Sequence, residues 1–349
     1  MAGLGPGPFA GMMLADHGAE VIRVERAGMI GVPNDPLLRN RRSIALDLRR
    51  DDAREVVRRL AGTAEGLIEG YRPGVMERLG LGPEVLLEAN PKLVFGRVTG
   101  WGQDGPLASE AGHDINYLAI TGLLHAIGER GRGPVPPLNL VGDYAGGGLM
   151  LAFAMVAALL AVARGGKGQV IDAAMSDGAA LTGALIFGLR GAGLWKDERG
   201  SNLLDGGDPL YGCYACADGK YLALGAIEPK FRQALVARLG LAGEPSHEEV
   251  AAAVSKLGRD EWAERLSGID ACAAPVLDIS EAPRHPHNMA RGTFIDIAGV
   301  VQPAPAPRYS RSNLDPPTAP RREGEDGRAL LDELGYSLAE ADAILEDGQ

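Results

Sequence analysis

Gly5-Pro6-Gly7-Pro8, then helical spacing over 9–17, then Gly18, then Glu20-Val21-Ile22-Arg23-Val24-Glu25-Arg26 is the stretch that decides the fold class. A Gly/Pro loop opens a helix, and an apolar strand ending in charge follows. This is the loop–helix–strand portion of a nucleotide-binding βαβ unit. Its first strand is missing, because only four residues precede Gly5. The glycine spacing also departs from G-x-G-x-x-G, so the loop and Glu25 give little support to an NAD-dependent oxidoreductase.

The alternation continues outward. Short apolar runs predict strands over 43–48, 65–69, 93–99 and 169–173. Helices are expected over 51–60, 73–79, 83–89 and 177–189, and after Asp143. Strands alternating with helices imply an α/β fold with an open, mostly parallel sheet and right-handed crossovers. The character changes near Gly191. A polar linker over 191–210 leads to two strands around Asp218-Gly219, a hairpin signal. Helices over 229–240 and 259–266 complete a smaller α+β domain over 211–300. A Pro-rich return over 301–314 precedes two short helices, over 326–334 and 338–345, so 315–349 completes the large domain of 1–190.

The chain of 349 residues suits two domains at about 150 residues each. A net charge of −11 argues against nucleic-acid binding. An anionic ligand then needs a local cluster of arginines, and Arg39, Arg41 and Arg42 form one, part of which is expected to meet phosphates. Cys213, Cys216 and Cys272 make no disulfide framework, which points to a reducing, cytoplasmic setting. Cys213 and Cys216 have metal spacing but no second pair, and no metal site is expected. The apolar run over 149–163 falls short of the ~20 residues that span a bilayer and reads as a buried helix, with no membrane partner.

The chemistry concentrates in Gly112-His113-Asp114-Ile115-Asn116-Tyr117 and in Asp143 downstream. Inverting a carbon by removing and returning a proton requires a base on each face, in opposite protonation states. An imidazole and a carboxyl group can be tuned toward each other for that task. Each has a plainer reading. His113 taken alone is equally a satisfied structural histidine, and Asp143, just before a long apolar run, is placed for an N-cap. Amides at that helix start would suit the oxygen of an enolate.

Taken in order, GPGPFAGMMLADHGAEVIRVER, LRNRRSIALDL, LIEGYRPGVMERLGLGP, GWGQDGP, AGHDINY, PPLNLVGDYAGGG and GKGQVIDAAMSDG resemble the α-methylacyl-CoA racemases, within the family III CoA-transferase (CaiB/BaiF) group. The resemblance implies epimerisation of 2-methylacyl-CoA thioesters by 1,1-proton transfer through an enolate. His113 and Asp143 would face each other across the α-carbon. Glu228, otherwise a residue at a helix start before Pro229, would lie near the histidine of a partner subunit in an interlocked homodimer. CoA contacts are implied at Leu46, Asp47, Leu48, Arg49, Tyr71, Arg72 and Arg78, and along Gly112, Asp114, Ile115, Asn116 and Tyr117. Arg26, at the end of a strand in the nucleotide unit, is placed for the adenosine phosphates. No metal or redox cofactor is implied, since CoA belongs to the substrate.

One departure stands out. The family begins with a strand before the GPGP loop, and here that strand is absent. The expectation is a chain shortened at its N-terminus, with exposed ladder groups, a gap in the core and impaired folding or activity. Two alternatives remain open: a family III CoA-transferase using the same aspartate as an acyl nucleophile, and a non-catalytic CoA-binding remnant.

Overall fold

The computed structural model describes residues 1, 3–28 and 32–346. The chain forms two compact units. One comprises Met1–Thr121, Leu138–Gly183 and Gly292–Gln349, and the other Gly122–Pro137 and Ala184–Arg291.

The first unit opens with helix α1 (Pro6–Asp16), whose paired prolines suit a helix start. Strand β1 (Val21–Glu25) pairs in parallel with β2 (Arg41–Ala45). Helix α2 (Asp51–Thr63) carries Asp51 and Asp52 in its first turn, where the helix dipole favours negative charge. It buries Ala53, Val56, Val57 and Ala61, an i, i+3, i+4, i+8 stripe. Strand β3 (Gly66–Glu69) leads through helices α3 (Val75–Arg78) and α4 (Pro83–Ala89) to β4 (Val94–Thr99). Every residue of β4 is buried, as befits a central parallel strand. It lies between β3 and β5 (Gln169–Ala174), parallel to both. The parallel strands thus form two sheets, β1-β2 and β3-β4-β5, where one open sheet was expected. Among the described residues no strand is hydrogen-bonded between β1 and β3, and the ladder is interrupted there.

The core under these sheets joins Ile44, Leu46, Val56, Met76, Leu86 and Phe95 to Leu330 and Leu331. The last two belong to α14 (Gly327–Glu333), which is followed by α15 (Leu338–Glu346), so the chain's end completes this unit. A hairpin of β9 (Phe294–Ile297) and β10 (Val300–Pro303) precedes them, in part of the stretch read as extended and Pro-rich.

Short helix α5 (Asp114–Ala119) follows β4, and α6 (Leu123–Ala126) belongs to the second unit. The chain re-enters the first unit through a π-helix, Leu140–Leu149, which runs on into α7 (Met150–Ala163). The combined helix, Leu140–Ala163, is long and apolar enough to cross a membrane. A core helix satisfies the same description, and Leu151 and Met155 of α7 pack in one cluster with Val94 and Val98 of β4. Only that face is buried. Phe153, Val156 and Leu160 are exposed, so the fully buried helix expected from the apolar run is corrected to a one-sided one.

The helix expected over 177–189 is broken at Gly183 into α8 (Met175–Thr182) and α9 (Ala184–Gly191), the second of which lies in the other unit. That unit contains an antiparallel sheet of β6 (Tyr211–Ala215), β7 (Tyr221–Gly225) and β8 (Ala273–Val276). Gly219 takes φ 75° in the β6–β7 turn, as the Asp-Gly signal demands. Helices α10 (Pro229–Arg238), α11 (His247–Val254), α12 (Arg259–Leu266) and α13 (Pro286–Arg291) complete it. Its own core gathers Leu222, Leu235, Val250 and Trp262. Helix α11 escaped the sequence reading, although Ser246 and Glu249 form the reciprocal cap that S-x-x-E announces.

Candidate active site

The candidate site lies where parallel strands deliver their C-terminal ends, the place where open α/β sheets bind ligands. Past β4, the loop through Trp101 turns into α5. His113 occupies the N-cap position of α5 and is exposed, and its backbone N–H is bonded to Asn116 Oδ1 at 3.0 Å. Tyr117 is buried. Its hydroxyl donates to the Gly112 carbonyl, and its ring meets Trp101 edge-on at 4.8 Å. Gly112 is required by that contact, because a Cβ there would sit 2.7 Å from the Tyr117 ring.

Asp143 lies in the first turn of the π-helix and is half-buried. The cap position belongs to Asn139, four residues earlier, so the reading of Asp143 as the N-cap is corrected. The helix starts earlier than expected because its buried glycines permit close packing. A Cβ on Gly146 would lie 2.5 Å from the Ala179 amide of α8, and one on Gly148 would lie 2.7 Å from the Pro6 carbonyl of α1. Such wide turns occur frequently at functional sites.

Four groups hold Asp143. Asn139 Nδ2 donates to its Oδ2 at 3.2 Å. Its own N–H donates to Asp114 Oδ1 at 2.7 Å. A Cβ on Gly5, which has φ 67°, would stand 3.3 Å from Asp143 Oδ2, so the Gly/Pro loop closes directly against the carboxylate. His113 is near enough to act on it through charge. Burial pushes the Asp143 carboxyl above its usual range. The Asn139 hydrogen bond opposes this, the Asp114 charge adds to it, and His113 lowers it again. The Asp143 amide, expected as a donor to an enolate oxygen, is already committed to Asp114. The other oxygen of Asp114, Oδ2, is buried without a protein partner, as is Trp101 Nε1.

The remaining predicted residues fall in four places. Leu46 is buried in the core and Leu48 is half-buried, and neither offers a charge. Asp47 and Arg49 are ion-paired at 2.6 Å, and that hydrogen-bonded pairing holds the Asp47 carboxyl down to about 2. Arg26 is exposed and contributes to the same lowering, so Arg26, Asp47 and Arg49 share the C-terminal edge of β1 and β2. Beyond β3, Tyr71 is half-buried while Arg72 and Arg78 are exposed. The Tyr71 N–H donates to Glu69 Oε2 at 2.7 Å, and Glu69 is itself bonded to Arg97 Nε at 2.7 Å. Within α5, Asp114 is buried, whereas Ile115 and Asn116 are exposed. Glu228 belongs to the second unit. It is exposed at the start of α10, and its side chain makes no capping bond.

One expectation is corrected, and a rival reading loses its remaining support. Arg39 is buried on Asp16, Gln302 and the Pro303 carbonyl, Arg41 is buried against the Pro8 carbonyl, and Arg42 is paired with Glu20 and Glu333. This arginine run ties the large unit together and presents no free cluster. Glu25, the would-be ribose ligand of a dehydrogenase, is engaged by Arg23 at 2.7 Å and by Ser43. Asn139, Gly5 and Trp101 had gone unremarked as site residues. For Asn139 the one available signal was its spacing of four from Asp143.

Comparison with known proteins gives the family. Residues 1–326 match the model of the CoA-transferase family III. Two relatives, both α-methylacyl-CoA racemases, match over nearly the whole length. The mouse protein is 45% identical over 97% of this chain and 92% of its own, and the human protein 41% identical over 100% and 96%. A crystal structure of a CaiB/BaiF family protein from Brucella suis superposes with TM-score 0.82 at 28% identity, covering 96% of this chain and 97% of that one. The chain therefore belongs to the CoA-transferase family III and is similar over nearly its whole length to α-methylacyl-CoA racemases.

Proposed function

We propose that the protein epimerises the α-carbon of 2-methylacyl-CoA thioesters by 1,1-proton transfer, as the names of its relatives suggest. The observation that carries this reading is the setting of Asp143. It is a half-buried carboxyl with a raised pKa, within electrostatic reach of His113 and clamped by Asn139 and Asp114. A carboxyl group biased toward its protonated form can return a proton that a neutral imidazole has removed from the other face. His113 takes the proton from one epimer, protonated Asp143 delivers one to the opposite face, and the roles exchange for the other epimer. CoA arrives with the substrate, and the reaction as written asks for no further cofactor.

The exposed guanidinium groups of Arg26, Arg49 and Arg72, just past the ends of β1–β3, and of Arg78 at the end of α3 are the proposed CoA contacts. A homodimer is proposed as well, with Glu228 serving the partner's His113. The apolar face of Phe153, Val156 and Leu160 on α7 supports association, because such faces mark contact surfaces. Light scattering on a Phe153→Asp variant should show monomer where the unaltered chain shows dimer.

The test of the activity is incubation of one epimer of a 2-methylacyl-CoA in D₂O, followed by NMR. Deuterium entry with loss of stereochemical purity is expected. The rate should fall by at least about 10²-fold in His113→Ala and in Asp143→Ala, the scale of a lost general acid or base. Folded variants that retain full exchange would refute the assignment.

A further inference from the structure

Asp114 is a buried carboxylate that the proton transfers leave unused. Only 6% of it is exposed. Its place against the π-helix is prepared by a glycine. A Cβ on Gly142 would stand 2.5 Å from Asp114 Oδ1, so the bare backbone admits the carboxylate beside the turn that carries Asp143. Oδ1 accepts the Asp143 N–H at 2.7 Å, and Oδ2 is buried without a protein partner. Anchoring one N–H needs one acceptor oxygen, which an asparagine or serine side chain also supplies. A carboxylate adds a desolvated, incompletely bonded charge, a costly choice for anchoring alone.

The surroundings show where that charge acts. Asp143 is faced by His113, Asp114 and Tyr117 from the α5 segment and by Asn139 from its own helix. Arg72 acts on Tyr117. The Gly5 loop adds no charge, and what α8 and α1 press against the π-helix glycines, Met175, Ala179 and Pro6, is uncharged as well. Two of the facing groups oppose each other. Asn139 Nδ2 donates to Asp143 Oδ2 at 3.2 Å and favours the carboxylate, whereas the Asp114 charge disfavours it.

We propose that Asp114 is a positioning residue for the acid–base pair, whose fixed charge, set against the Asn139 amide, keeps a proton on Asp143 while its Oδ1 holds that turn in place. The inference rests on the racemase reading above. It also ties the two proton carriers together. Asp114 directly follows His113, so the segment that presents the base carries the charge that conditions the acid. A shift of α5 therefore alters both at once.

The test separates charge from anchor. Asp114→Asn keeps an acceptor for the Asp143 N–H and loses the charge. Carbon-13 NMR of the aspartate carboxyls reads the titration without turnover, with the Asp143 signal identified by its loss in Asp143→Asn. The Asp143 midpoint should move to lower pH in Asp114→Asn and to higher pH in Asn139→Ala. The acid limb of the kcat/KM profile for α-proton exchange should move in the same two directions. Exchange in Asp114→Asn should fall by less than about 10²-fold, because both proton carriers remain. A purely structural Asp114 predicts the same midpoint in Asp114→Asn as in the unaltered chain. That result, or an upward shift, would overturn the proposal. Should Asp114→Asn not be recovered folded, Asp114→Ser takes its place under the same criterion, since it too leaves an acceptor without charge. Absence of exchange in the unaltered chain counts against the racemase reading, and the carboxyl titration decides on Asp114 separately.

Discussion

Asp114 illustrates how one side chain can hold a site without touching the reacting atoms. It is buried, and one of its oxygens fixes the Asp143 backbone N–H. Asp114→Ala leaves that N–H unsatisfied and should cost about 1–3 kcal/mol of stability, measurable by denaturant titration. The second residue-scale expectation concerns pH. Asp143 has a folded-state pKa above its ordinary 3.8, chiefly through burial. Its contribution to stability is thus complete below 3.8 and is lost as pH rises through the raised value. Asp143→Asn should therefore raise Tm at pH 7, leave it unchanged below about pH 3.8, and abolish exchange at both. A calorimetric pH series checks this. A fall in Tm at pH 7 would contradict the sign.

Among elements, the π-helix decides most. Its glycines let α8 and α1 approach, and a Cβ on Gly146 would press within 2.5 Å of the Ala179 amide. Gly146→Ala should destabilise by about 1–3 kcal/mol through overpacking and should lower turnover, since Asp143 rides on the same helix. The β3–β4 pair makes a comparable contribution on the CoA side. Glu69, fully buried, links Arg97 to the Tyr71 N–H. Removing one partner of a buried pair costs about 3–5 kcal/mol when the other is left alone. Arg97 keeps Glu77, so Glu69→Ala should fall at or below the low end of that range. Its KM for acyl-CoA should rise as the segment carrying Tyr71 and Arg72 loosens. An unchanged KM would separate that segment from CoA binding.

For the whole molecule, two units with separate cores give a way to locate the ligand. Trp101 reports on the unit carrying His113 and Asp143, and Trp262, bonded to the Val254 carbonyl at 2.7 Å, reports on the other. Single-tryptophan variants should resolve the two denaturation transitions. A CoA thioester at 100 times its Kd should stabilise the first by about 2.7 kcal/mol. A shift confined to the Trp262 transition would place the ligand elsewhere.

Much of this was legible in residue order. Period and turn chemistry are local properties, so the parallel strands, the Asp-Gly hairpin and helix α12 follow from the letters alone, as does the grouping of His113 with Asp143 through ordered motifs. Family membership could be read in the same way, because long motifs in fixed order do not depend on packing. The use of the charges was different. Arg39, Arg41 and Arg42 read as a phosphate cluster until Asp16, Gln302, Glu20 and Glu333, distant in sequence, were brought against them. The π-helical turn around Asp143 and the pairing of its amide with Asp114 arose from close approach between glycine-rich backbones, which carries no periodic signature. The divided sheet belongs to the same class. Strand residues can be read from their periodicity, but only the tertiary structure shows that β1-β2 and β3-β4-β5 are separate ladders among the described residues, with Arg23 and Arg41 carrying buried nitrogens that have no protein partner.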